Sequence, residues 1–153
     1  MAANVSSDLI WQLTRTQNAF LVKRNSGGGS QFSRDPLNLQ NKHSFKYAGY
    51  ANTKAVGVQA TENGGVAVIT KKPSNPQQPA KNVVTVTYGP NASTLKIYKG
   101  VADKTAKNGY RADIREDAVA RVSAIRRSQK AKKETPAQKP RGAKARKAEE
   151  KSE

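Results

Sequence analysis

Apolar residues first recur at helical spacing from Leu9 to Leu13, where Leu9, Ile10 and Leu13 share a face. Ser7 is placed to cap this short helix, and Asp8 sits at its positive end. From Asn18 the pattern changes: Phe20-Leu21-Val22 reads as a strand closed by Lys23-Arg24. Asn25 to Ser30, rich in glycine, predicts a flexible break, and the polar stretch from Gln31 to Lys42 predicts a long loop. A meander follows. Ser44 to Tyr47 alternates, Ala55 to Gln59 continues, Asn63-Gly64 is a hairpin signal, and Val66 to Thr70 returns. Pro73 to Pro79 reads as a loop, and Val83 to Tyr88 as a further strand closed by Gly89-Pro90.

The second half is helical in period. Leu95, Tyr98, Val101 and Ala102 fall on one face, although Gly100 weakens that helix by about 1 kcal/mol relative to alanine. Asn108-Gly109 supplies a left-handed stop. Asp113 is then placed to cap a second helix, in which Ile114, Ala118, Val122 and Ile125 form the apolar stripe. Beyond Lys130 no apolar anchor remains, so the chain should run on as an extended or disordered arm when free. Strands before helices predict an α+β fold. The expected parts are a short N-terminal helix, a small antiparallel sheet of three to five strands, two C-terminal helices and a basic tail. The corresponding division is 1–130 for the folded domain and 131–153 for the flexible tail.

Charge changes the picture. The chain carries 28 Lys and Arg against 11 Asp and Glu, a net of +17. Ahead of Arg126 stand 17 basic and 7 acidic residues, so the foldable part is itself cationic and not merely tethered to a cationic tail. Such a domain repels itself unless a polyanion neutralises it, and nucleic acid is the obvious one. A membrane surface is the weaker rival, because neither a strongly apolar helix face nor a lipidation site is evident. The longest apolar runs have four residues, Ala19 to Val22 and Val66 to Ile69, which predicts neither a membrane-spanning helix nor a secretory signal. The absence of cysteine removes disulfides and thiolate metal sites, and points to a reducing intracellular compartment.

Catalysis has little to rest on. His43 is the sole histidine, and beside Asn41 and Lys42 it reads as a loop residue. Asp113, Glu116 and Asp117 are explained by the positive end of a helix and by pairing with Arg111, Arg115 and Arg121. Gly100 to Thr105 fails as a phosphate-binding loop, because Asp103 precedes Lys104 where glycine is required. No catalytic residue, metal site, cofactor or small-molecule substrate is expected.

Cations interleaved with aromatic rings are the stronger pattern. Lys23 and Arg24, Lys46 with Tyr47, Tyr50 with Lys54, and Lys71-Lys72 fall at strand ends or adjacent loops. Arg111 just ahead of the last helix, and Arg115, Arg126, Arg127 and Lys130 along and beyond it, extend the set. These are the candidate phosphate ligands, with Tyr47 or Tyr50 able to stack on an exposed base. Phe20, Phe45 and Trp11 are assigned to the core. The run Arg126 to Lys133 also suits a nuclear-localisation signal, and Lys139 to Lys147 an arm threading between RNA helices.

Three blocks in order resemble a known family. They are Leu9-Ile10-Trp11 with Asn18 to Asn25; Asn38-Leu39 with His43 to Gly49 and Lys54 to Val58; and Tyr110 to Arg115 with Ser123 to Lys130. Together they resemble the eukaryote-specific ribosomal large-subunit protein family numbered twenty-eight, the L28e type. The Gly27 to Gly29 loop, the Pro73 to Pro79 stretch and the tail depart from its pattern. The resemblance implies a non-enzymatic structural constituent of the cytoplasmic large (60S) subunit, bound to ribosomal RNA and neighbouring ribosomal proteins and supporting translation. It also implies passage through the nucleus and nucleolus during assembly. A large-subunit assembly factor is the alternative.

Truncation after Lys130 is expected to leave the domain folded with an unchanged thermal midpoint, since the tail offers nothing apolar to bury. A large drop in the midpoint would show that the tail packs on the domain.

Overall fold

The computed structural model describes residues 5–26, 28–75, 78–136 and 141–143. Helix α1 (Ser7–Thr14) is followed by strands β1 (Leu21–Lys23) and β2 (Gln31–Ser33), then β3 (Val56–Ala60) and β4 (Val66–Lys71). A one-turn helix α2 (Pro79–Asn82) leads into β5 (Val83–Tyr88), α3 (Thr94–Ala106) and α4 (Arg115–Ser128). The expected α+β architecture is therefore present, with the strands divided between two antiparallel sheets, β1-β2 and β3-β4-β5.

The larger sheet carries the core. Alternation places Val56 and Val58 of β3 and Val66 and Val68 of β4 on one face. Ile97 and Val101 of α3 and Ala118 and Val122 of α4 join them in one buried cluster, which Leu39 and Ile114 complete. The Asn63-Gly64 signal holds: Val58 pairs with Val68 across a hairpin whose Gly64 has φ 77°. The second hairpin partner, β5, pairs Val86 with Val68 and leaves Val83, Thr85 and Thr87 exposed. Gly100 has a packing reason, because a Cβ there would collide with the hydroxyl of Tyr88.

The other face of β3 is covered by chain running in from the smaller sheet. The segment 34–42 is ordered by short polar side chains that replace backbone partners. Asp35, buried, accepts from the amides of Leu37 (2.9 Å) and Tyr50 (3.1 Å). Asn38, also buried, accepts from Gln40 N–H (3.1 Å) and donates to Lys42 O (2.8 Å). Gly57 lets this segment lie flat on the strand, since a Cβ would meet Pro36 O and, at 3.1 Å, Leu37 Cα.

Several sequence expectations are corrected. Gln31 to Ser33 is strand rather than loop and pairs with β1, and Gly28 and Gly29 ahead of it have φ 79° and 72°. Three residues are too few for alternation to register. Ser44 to Tyr47 is not a strand: Phe45–Tyr47 is a 3-10 turn, closed by Tyr47 and Ala48 amides on Ser44 O at 3.2 and 3.0 Å. The cap of α1 is Ser6, whose Oγ accepts from Leu9 N–H, not Ser7. Leu95 is 76% exposed, and the buried stripe of α3 is Ile97, Val101 and Thr105. Thr105 is buried because its hydroxyl bonds Val101 O at 3.0 Å, a pairing that hydropathy does not reveal. Trp11, Phe20 and Phe45 lie outside the main core, half-buried in small satellite clusters. Helix α4 ends at Ser128, and residues 131–136 beyond it are exposed. The remainder of the expected arm, 137–140 and 144–153, lies outside the described residues.

Gly57→Ala should destabilise the domain by about 1–3 kcal/mol, because the clash is with backbone and not a movable side-chain tip. Urea unfolding of the two proteins measures it directly.

Candidate nucleic-acid interface

The cations selected from sequence fall into two physical groups. The first is engaged inside the protein, and mostly with carbonyl oxygens. Lys71, at the end of β4, aims Nζ at Gly49 O (3.1 Å), Tyr50 O (3.4 Å) and Asn52 O (2.9 Å). Burial pushes its ammonium pKa down from the ordinary lysine range. Arg126, in the last turn of α4, reaches Gly64 O (3.3 Å), Pro90 O (3.1 Å) and Ala92 O (3.3 Å), so it ties the β3-β4 turn to the β5-α3 connection. Arg111 grips Asp113 through two nitrogens at 2.8 Å and also donates to Lys54 O (3.0 Å) and Lys46 O (2.9 Å). Asp113 thus serves Arg111 as ion-pair partner, and α4 starts without a side-chain cap.

Tyr47 and Tyr50 are tethered as well. Tyr47 donates to Asp117 Oδ2 at 2.8 Å, and Lys46 stands 3.8 Å from the same oxygen. Gln40 donates to the other oxygen of that carboxylate. Burial and the Asp117 bond hold the Tyr47 hydroxyl above its usual pKa. The Tyr50 hydroxyl accepts from Thr14 (3.3 Å) and Asn18 (3.4 Å), and its ring lies against Phe20 with centroids 6.0 Å apart.

The second group points outward. Lys23, Arg24, Lys72, Arg115, Arg127 and Lys130 are exposed, and their side chains make no hydrogen bond or ion pair with other described residues. Lys54 is intermediate in exposure: it lies 5.8 Å over the Tyr110 ring and lines an open cavity of about 360 Å³ with Asp103, Lys104 and Lys107. A second open cavity, also about 360 Å³, brings Lys23 together with Trp11, Arg15, Thr16, Gln31 and His43. Among the described residues no cluster of His, Asp or Glu could hold a metal ion.

Sequence reasoning missed Arg121 and Tyr110 as organisers. Arg121 donates to Val58 O (2.9 Å) on edge strand β3 and to Leu39 O (2.9 Å), and burial lowers its pKa from the ordinary arginine value. Tyr110 accepts from Ala55 N–H at 3.2 Å and donates to Lys71 O, and burial raises its hydroxyl pKa. Their partners lie 39 to 82 residues away in sequence, which left no local signal. It also missed the grouping of Arg15 with Trp11 and His43.

The profile of the Ribosomal L28e protein family matches residues 9–128, from within α1 to the last residue of α4. The chain belongs to that family. A relative from Schizosaccharomyces pombe, the large ribosomal subunit protein eL28, is 48% identical over 135 residues, covering 85% of this chain and 97% of the relative. The protein of the same name from Dictyostelium discoideum is 35% identical over 83% of this chain and 94% of its own length. That from Caenorhabditis elegans is 39% identical over 62% and 74%. The L28e match spans both sheets and both long helices, so every internal cation described above lies within it.

The hydrogen bonds from Arg111, and then its charge, hold the Asp113 carboxyl below the usual aspartate pKa. The unfolded state therefore binds the proton more readily, and stability from this pair is fully present above the ordinary carboxylate value near 4. It is lost as pH falls through the depressed folded value. Asp113→Asn should lower the thermal midpoint at pH 6 to 7, and the difference from wild type should shrink below about pH 4. Midpoints measured from pH 2.5 to 7 test this, and a gap independent of pH would exclude the ion pair as its source.

Proposed function

We propose that this chain is a non-enzymatic structural constituent of the cytoplasmic large ribosomal subunit, where it binds and stabilises folded ribosomal RNA and supports translation. Membership of the L28e family, with a relative matched over nearly its whole length, supports the subunit assignment. The observation that carries the RNA reading is the second group of cations, exposed and without side-chain partners among the described residues, on a chain of net +17. Lys23, Arg24, Lys72, Arg115, Arg127 and Lys130 take the phosphate contacts, arginine as a bidentate donor and lysine as a point charge. Lys46 and Lys54 contribute from the rim of the Tyr47 and Tyr110 clusters. Lys71, Arg111 and Arg126 shape the surface and add to its positive field. Tyr47 and Tyr50 offer ring edges to RNA only where their hydroxyl bonds permit.

The domain, residues 1–130, would sit on the RNA with neighbouring ribosomal proteins, and the tail, 131–153, would extend the phosphate contact. Synthesis in the cytoplasm and incorporation in the nucleolus make the Arg126 to Lys133 run useful for nuclear entry as well.

Retention in purified 60S subunits after a high-salt wash is the expected result; loss from mature subunits with retention on precursors would assign an assembly factor instead. With an rRNA fragment, log K should fall linearly with log [salt], and alanine at Lys23, Lys72 or Arg127 should each reduce the slope by about 0.7–0.9. Alanine at Lys71 or Arg126 should instead lower the thermal midpoint. A slope near zero would sink the electrostatic reading.

A further inference from the structure

The cavity between α1 and the β1-β2 ribbon differs from the rest of the basic surface. One wall is aromatic: the Trp11 ring lies 4.9 Å from the His43 ring and 5.9 Å from Phe45, centroid to centroid. A bond between His43 Nε2 and the Arg15 carbonyl, 2.7 Å long, fixes the imidazole against the end of α1. The ribbon contributes Lys23 and Gln31, which the register pairs at the end next to its turn. Arg15 and Thr16, just beyond α1, complete the rim. None of the side chains of Arg15, Thr16, Lys23 or Gln31 is engaged with another described residue, and no carboxylate lines the space. Elsewhere the half-buried arginines and Lys71 are occupied by carbonyls. Here two cations, an amide and a hydroxyl are left facing two rings.

We propose that this cavity is a binding site for one unpaired nucleotide of RNA. The base stacks on the Trp11–His43 wall, Arg15 and Lys23 take the flanking phosphates, and Gln31 and Thr16 supply hydrogen-bond partners for base edge or ribose. A cavity of about 360 Å³ falls in the size range of small-ligand sites and admits a single nucleotide but not a duplex. A free phosphate would use the cations but leave the rings idle. Aromatic stacking with cations alongside is the chemistry by which single-stranded bases are held without need of a particular sequence. The inference rests on the RNA-binding reading and adds to it a place where a base, and not only backbone, is recognised.

Trp11 is the single tryptophan, so its emission reports on this site alone. The full chain is titrated with an RNA hairpin bearing one bulged adenosine, and with the same hairpin abasic at the bulge. Expected are quenched Trp11 emission with the bulged RNA only, and on the order of ten-fold tighter binding than to the abasic form. Trp11→Leu should abolish that preference. Because Trp11 also packs on Phe45, the exposed-rim variants Arg15→Gln and Lys23→Gln serve as a second test, and should weaken binding of both hairpins with unchanged circular dichroism. Equal affinity for the two hairpins, with emission unquenched at saturation, overturns the base site while leaving the electrostatic reading intact. Absence of salt-dependent binding to either hairpin removes both.

Discussion

Charged side chains that cross between layers of a protein must find partners, and in this chain most of them find backbone carbonyls. Only 11 carboxylates are available to 28 cations, so a scheme of buried ion pairs is out of reach. Lys71, Arg121 and Arg126 instead donate to oxygens of turns and edge strands that the sheets leave open. Each bond satisfies an acceptor that would otherwise need water, and each fixes a loop against the body. A lost donor strands several acceptors at once, which makes these cations more consequential for the fold than their exposure suggests.

This division of labour also explains how a cationic domain can present a defined surface. Self-repulsion is partly relieved where charges are turned inward onto carbonyl dipoles, and the remaining cations stand on a scaffold whose shape is set. The valine face of β3 and β4, packed on α3 and α4, supplies the rigid part. The 34–42 segment, held by Asp35 and Asn38, supplies the irregular part and leads to the rings at His43 and Phe45. RNA recognised through shape and phosphate position requires such fixed spacing between cations.

Much of the framework was legible in the chain. The valine alternation, the Asn63-Gly64 turn, the strand at Val83 to Tyr88 and the stripe of Ile114, Ala118 and Val122 are strong local patterns, and all occur as expected. The ribbon of β1 and β2 was not legible, because three-residue strands depend on pairing across a turn and not on their own period. The 3-10 turn at Phe45 was misread for a related reason: its apolar-polar alternation is real, but Asn52 holds the backbone of Phe45 and Ala48 in a turn through two 2.8 Å bonds. Of the candidate cations, sequence could identify charge and rough position, but not which were already engaged.

The sequence by itself determined that the chain is cationic throughout, that a short helix and then strands precede two C-terminal helices, and which family it resembles. Those properties follow from composition, from short-range periodicity and from ordered residue blocks, all of which are local. Only the tertiary structure decided the roles of the individual cations, because a lysine at the end of a strand looks the same whether it faces solvent or three carbonyls. It also brought Trp11, Lys23, Gln31 and His43 to the walls of one cavity from separate elements. Contacts of that kind are set by chain packing over long separations, and no local pattern encodes them.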